Sequence, residues 1–157
     1  SVQLIGVEAG GHGDSQGEHA AKADLGKPGI FEGYKSYFLQ EKMGDISGTS
    51  SISAGLDYCG LSPILAHLKD AGRVKFTRAS NADTLQALQL CAQKEGIILA
   101  LESAHAMAEA IQLAKAKSKN ELIVVNASGR GEKDLFITMN EFQPEALQTF
   151  IKQLQND

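Results

Sequence analysis

The chain has 157 residues, 43% of them hydrophobic and 22% charged, with a formal net charge of -4. That length supports one compact domain with its own core, and the acidic balance excludes recruitment to nucleic acid or an anionic membrane by bulk charge. No apolar run approaches the roughly 20 residues of a membrane-spanning helix, and the opening SVQLIGVEAGG has no basic stretch ahead of a long apolar block, so no signal peptide is read.

Residues 2–7 are β-rich and mostly apolar, the pattern of a buried parallel strand. A chain that opens at once on such a strand is expected to be a piece of a longer protein. Residues 8–28, rich in Gly, His, Ala and charge, have no sustained period and read as a long loop. Residues 29–39, with Ile30, Phe31, Tyr34, Tyr37, Phe38 and Leu39, read as a short strand pair, and Met43-Gly44-Asp45 as a turn. Residues 63–72 predict a short helix ending at Gly72. A helix opening at Asn81 or Ala82 carries Asp83 in its first turn and an apolar stripe of Leu85, Leu88, Cys91 and Ala92, and it stops at Gly96. Residues 97–101 predict a strand, 103–117 a helix with lysines in its last turns, and 122–125 another strand. Pro144 opens a last helix whose Leu147, Phe150, Ile151 and Leu154 are expected to face inward.

Helices alternating with strands imply crossover connections and a mainly parallel sheet, an α/β fold flanked by helices. No repeat, low-complexity tract or linker interrupts the chain, so residues 1–157 read as a single domain. The two cysteines, Cys59 and Cys91, form no CxxC pair; both are expected to be reduced and at least one buried, which fits the cytoplasm.

In parallel sheets ligands bind beyond the carboxyl ends of the strands, which singles out the polar loops. NASGRGEKD, residues 126–134, lacks both GxxxxGK[ST] and GxGxxG. Its Gly129-Arg130-Gly131 either turns backbone N–H groups toward an anion or serves a tight turn, with Arg130 paired to a carboxylate. In the loop after residue 7, His12, Asp14, Glu18 and His19 are metal-capable, but without the tight spacing zinc prefers; a packed loop is the simpler reading. ALESAHA holds Glu102, Ser103 and His105. A hydrolytic triad needs convergence in space that adjacency does not give, whereas Glu102 suits a helix N-terminus and Ser103 a cap. In SISAGLDYCG a single acid, Asp57, sits among small residues, either as a turn-forming backbone acceptor or as a placed carboxylate.

Five blocks in register, LIGVEAGGHG, GEHAA, SISAGLDY, EGIILALESAHA and VVNASGRGEKD, resemble the carboxyl-terminal part of the tryptophan synthase beta subunit family from about Val2 to about Phe136. SISAGLDY and ALESAHA separate it from relatives of the same fold. The resemblance implies half of a fold-type II pyridoxal-phosphate enzyme that joins L-serine and indole into L-tryptophan, in the cytoplasm, within a beta-beta dimer bound to an alpha subunit. It implies that Ser128 meets the pyridine nitrogen of pyridoxal 5'-phosphate, that Glu102 lies beside the cofactor ring, and that Asp57 engages the serine hydroxyl. Tyr58 and Gly60 would offer backbone carbonyls to a monovalent cation, Na+ or K+. Where the family reads YPxxGPEHAYL this chain has YCGLSPILAHL: Cys59 replaces a proline, Ser62 a glycine, and Ile64-Leu65 a Glu-His pair. The lysine that holds the cofactor and the glycine-rich loop that cradles its phosphate lie upstream in the family; Lys35, in GYKSY, is not in the matching context. The isolated chain is therefore expected to be catalytically silent.

Overall fold

The computed structural model describes residues 2–155. In chain order the elements are β1 (Leu4–Gly11), α1 (Lys22–Leu25), β2 (Lys27–Phe31), β3 (Tyr34–Phe38), a 3-10 turn at Ala54–Leu56, α2 (Pro63–Asp70), β4 (Val74–Ser80), α3 (Asn81–Glu95), α4 (Leu101–Ala116), a 3-10 turn at Gly131–Asp134, α5 (Leu135–Phe142) and α6 (Pro144–Leu154). β1 and β4 pair in parallel, from Leu4 opposite Val74 to Ala9 opposite Ala79, with a register shift before Gly11 meets Ser80. The fold is α/β, a two-stranded parallel sheet flanked by helices.

Small residues let the helices approach this sheet. Ala79, Ala87 and Ala108 form one buried cluster, with Val7, Met107 and Ile111 against it. Leu88, Cys91, Leu99, Leu101 and Ala104 form a second, where α3 meets α4. A third, of Ala23, Leu61 and Ala66, seats α2 against Tyr37 and Phe76. Both cysteines are buried and unbridged. α3 starts where its sequence says: the Ser80 hydroxyl accepts the Asp83 N–H, and Gly96 ends the helix with φ +70°. β2 and β3 form the expected hairpin, turned through Glu32 and Gly33, both at positive φ, as a two-residue connection demands. The Met43 turn also forms, closed by Gly44 N–H donating to Glu41 O.

The structure corrects several expectations. Residues 97–100 and 122–125 are not strands; they are irregular segments with no ladder partner among the described residues, and Leu101 already belongs to α4. A strand exists only by pairing, and here nothing lies alongside: Leu122 and Val124 are 88% and 83% exposed. In α6 only Leu147 is buried, while Phe150, Ile151 and Leu154 face outward, because the helix packs chiefly on short α5. The loop expected over residues 8–28 is shorter, since β1 runs to Gly11 and α1 occupies its end. β4 and α5 had no counterpart in the sequence reading. The Val74, Phe76 and Thr77 of β4, β-branched and aromatic within seven residues, were the available signal.

Candidate functional site

Three of the sequence blocks meet at the N-terminus of α4. Glu102, in the first helical turn, is favoured there by the helix dipole. Its Oε1 accepts the Gly55 N–H at 3.0 Å and the Lys133 ammonium at 3.1 Å, and Lys133 Nζ lies 2.9 Å from Oε2. Lys133 also reaches the buried Asp134 at 2.7 Å. The other oxygen of Asp134 accepts the Leu101 N–H at 2.9 Å. Asp134 thus serves the open end of α4, the role the sequence had offered to Ser103. Ser103 is instead buried, and its hydroxyl donates to the Ser128 carbonyl at 2.7 Å.

Two glycines permit these approaches. A Cβ on Gly55 would fall 2.5 Å from Glu102 Oε1, and one on Gly131 would fall 2.6 Å from the Leu99 carbonyl. The glycines of NASGRGEKD therefore serve backbone geometry. Arg130 is exposed and forms no ion pair among the described residues; Lys133 is the cation that engages a carboxylate.

Partial burial alone would raise the Glu102 carboxyl. The Lys133 ammonium, the residue's own N–H, the Ser53 hydroxyl and the Gly55 N–H outweigh it and hold the group at about 2. Glu102 is a fixed anion at neutral pH. The Ser128 side chain is exposed, while its backbone is strapped to α4 through Ser103.

Asp57 follows the same 3-10 turn that presents Gly55, so its loop is tied to Glu102. Its side chain is exposed. Tyr58, also exposed, donates its hydroxyl to Glu32 at 2.6 Å, and that bond raises its pKa. The Cys59 carbonyl accepts the Leu39 N–H at 2.9 Å. The chain bends at Cys59, and Gly60 bridges Phe38. Gly60 packs against Phe38, where a Cβ would fall 2.6 Å from the ring.

The remaining candidates do not join this cluster. Asp14 pairs with Arg78 at 2.8 Å, Glu18 accepts the Ser15 N–H, and buried His19 accepts the Ala21 N–H. Among the described residues no group of three or more His, Cys, Asp or Glu side chains could hold a metal ion. A cleft of about 290 Å³ lined by His19, Lys27, Gln40 and Lys42 touches none of Asp57, Glu102 and Ser128. The departures at Ile64 and Leu65 lie in α2, both exposed. No helix of the described residues is long and apolar enough to cross a membrane. Sequence reasoning missed Gly55, Lys133 and Asp134 as parts of the site. Lys133 and Asp134 stand inside the quoted NASGRGEKD, but only folding shows that they reach Glu102 and Leu101.

No family model matches the chain. It is 53% identical to the tryptophan synthase beta chain of Helicobacter hepaticus over 154 residues, 97% of this chain and 36% of that protein. It is 49% identical to the tryptophan synthase beta chain of a Methylobacterium species over 134 residues, 85% of this chain and 33% of that protein. The chain thus spans about a third of the length of the curated relatives it matches. These matches establish the resemblance that the five blocks carry: along nearly its whole length, this chain is similar to one third of a tryptophan synthase beta chain.

Proposed function

We propose that this chain is the carboxyl-terminal half-site of a tryptophan synthase beta chain, a pyridoxal-phosphate-dependent lyase that replaces the hydroxyl of L-serine with indole to give L-tryptophan. The observation that supports this most is the convergence of SISAGLDY, ALESAHA and NASGRGEKD on Glu102, through Gly55, Lys133 and the Ser103–Ser128 strap.

The residues present fit the cofactor. Ser128 is exposed, so its hydroxyl is open to a ligand, while its peptide is immobilised from the other side. A hydroxyl donates to an unprotonated ring nitrogen, which a carboxylate would not do. When bound, pyridoxal phosphate supplies the electron sink for bond breaking at the amino acid. Glu102, a fixed anion, would lie beside the ring and order its surroundings. Asp57 binds the hydroxyl of L-serine and takes part in closing the site. The Tyr58 and Gly60 carbonyls bind a monovalent cation, Na+ or K+. The full-length protein works in the cytoplasm as a beta-beta dimer with an alpha subunit that supplies indole, and residues 1–157 form one domain of it.

By itself the chain is read as catalytically silent, because the lysine that anchors the cofactor belongs to the other part of the family's chain. The test is tryptophan formation from L-serine and indole by the isolated polypeptide, then by a mixture with the preceding two thirds of the full-length protein. Activity is expected only in the mixture or the full-length chain. Turnover by the isolated chain would overturn the silent-module reading, and its absence from the full-length protein would overturn the enzymatic one.

A further inference from the structure

Lys22 is the first residue of α1, and its side chain is buried. A lysine is almost never buried unless its ammonium is paired. Lys22 Nζ donates to the Leu56 carbonyl at 3.0 Å, 34 residues along the chain. The same oxygen accepts the Tyr58 N–H at 3.0 Å. That second bond closes a three-residue turn with Asp57 at its apex, at φ -84° and ψ 68°, the inverse γ conformation. One carbonyl thus joins a buried cation to the turn that presents Asp57.

Lys22 is itself held in place. Buried Glu8, on β1, accepts the Ala23 N–H at 2.9 and 2.8 Å through its two oxygens and the Asp24 N–H at 3.1 Å. α1 is thereby fixed to the parallel sheet directly after Lys22. Burial lowers the Lys22 pKa, and the carboxylates of Glu8 and Asp57 oppose that. The ammonium lies in the field of both acids.

We infer that Lys22 is a positioning residue for Asp57: its buried ammonium pins the Leu56 carbonyl and so sets where the Asp57 carboxyl meets the substrate. The inference rests on the reading of Asp57 as the group that engages the serine hydroxyl. A side chain that only filled space would affect every substrate alike. One acting through Asp57 matters most where the leaving group needs a hydrogen-bonding partner. Loss of the L-serine hydroxyl as water breaks a C–O bond and consumes a proton. Loss of chloride from β-chloro-L-alanine breaks a C–Cl bond and consumes none.

The experiment compares kcat/KM for these two amino acids, with indole, in the full-length protein. Lys22→Met keeps the aliphatic stem and removes the donor. It is expected to lower the L-serine value about tenfold or more, the scale of a misplaced catalytic group, and the β-chloro-L-alanine value less than about twofold. Lys22→Arg, which retains donors, is expected to recover much of the L-serine value. Equal losses on both substrates, or no loss, would overturn the inference. If Lys22→Met does not fold, the same ratio measured on Lys22→Leu, which also lacks a donor, decides. Asp57→Asn separates the two levels of argument. A serine-selective loss there but not at Lys22 sinks the positioning role alone, and no selective loss at Asp57 sinks the reading of Asp57 itself.

Discussion

Lys133 bridges two acids of unequal burial, Glu102 and the nearly inaccessible Asp134. Removing a cation from such a cluster leaves buried negative charge uncompensated. Lys133→Met is expected to cost roughly 2 kcal/mol at pH 7, the scale of a charged hydrogen bond. The sign with pH follows from Glu102. Its folded pKa, about 2, lies below its ordinary value of 4.5, so its contribution is full above pH 4.5 and is lost as pH falls toward 2. Urea unfolding of parent and variant should therefore differ most near pH 7 and converge toward pH 2. At Ser128 the prediction is chemical. Ser128→Asp in the full-length protein would favour a protonated ring nitrogen, so tryptophan formation is expected to fall roughly tenfold or more and the cofactor absorption to change. An unchanged rate and spectrum would contradict the assignment. Glu102 was legible as a carboxylate at a helix N-terminus, which is where it stands; the cofactor role of Ser128 is what the resemblance implies. Lys133 and Gly55 were not, because their roles depend on contacts 31 and 47 residues away along the chain.

α4 carries a second titratable group, the fully buried His105. Its Nδ1 lies 2.7 Å from the Leu101 carbonyl. A carbonyl only accepts, so Nδ1 holds the proton, and buried Nε2 has no hydrogen-bond partner among the described residues. Burial pushes the His105 pKa below 6.5. The unfolded chain thus takes up the proton first, and stability present above pH 6.5 is lost as pH falls below it. His105→Gln is expected to flatten the fall in urea midpoint between pH 7.5 and 5.5; His19, also depressed by burial, leaves a residual slope. Among the elements, α3, α4 and the hairpin were legible because their signals are local: Asp83 in a first turn, the Gly96 stop, an apolar stripe, lysines in a last turn, and an aromatic and apolar run over residues 29–39. Residues 97–100 and 122–125 have the composition of strands but no neighbour to pair with among the described residues, and composition cannot supply one. The α6 stripe was a real amphipathic pattern, yet its inward face depends on having something to face.

Across the whole molecule, Ile97, Ile98, Leu122, Val124 and Phe136 all lie exposed, in a chain that spans about a third of its relatives. Apolar surface of this kind marks a contact region. The isolated chain is expected to bind a hydrophobic dye, and addition of the preceding two thirds of the full-length protein to quench that signal. An unchanged signal in an active mixture would place the contact elsewhere. The parallel pairing of β1 with β4 bears on how the molecule comes to be folded. Leu4 must find Val74, whereas α3 and α4 are neighbours in sequence and share a core. Closing a long loop before any contact repays it is slow, so the helical hairpin is favoured to form first and β1 to dock late. Glu8 rides on β1, and Glu8 fixes α1 beside Lys22. The support beneath Asp57 is then among the last parts to be assembled, and Asp57 gains a defined direction only when the sheet has closed.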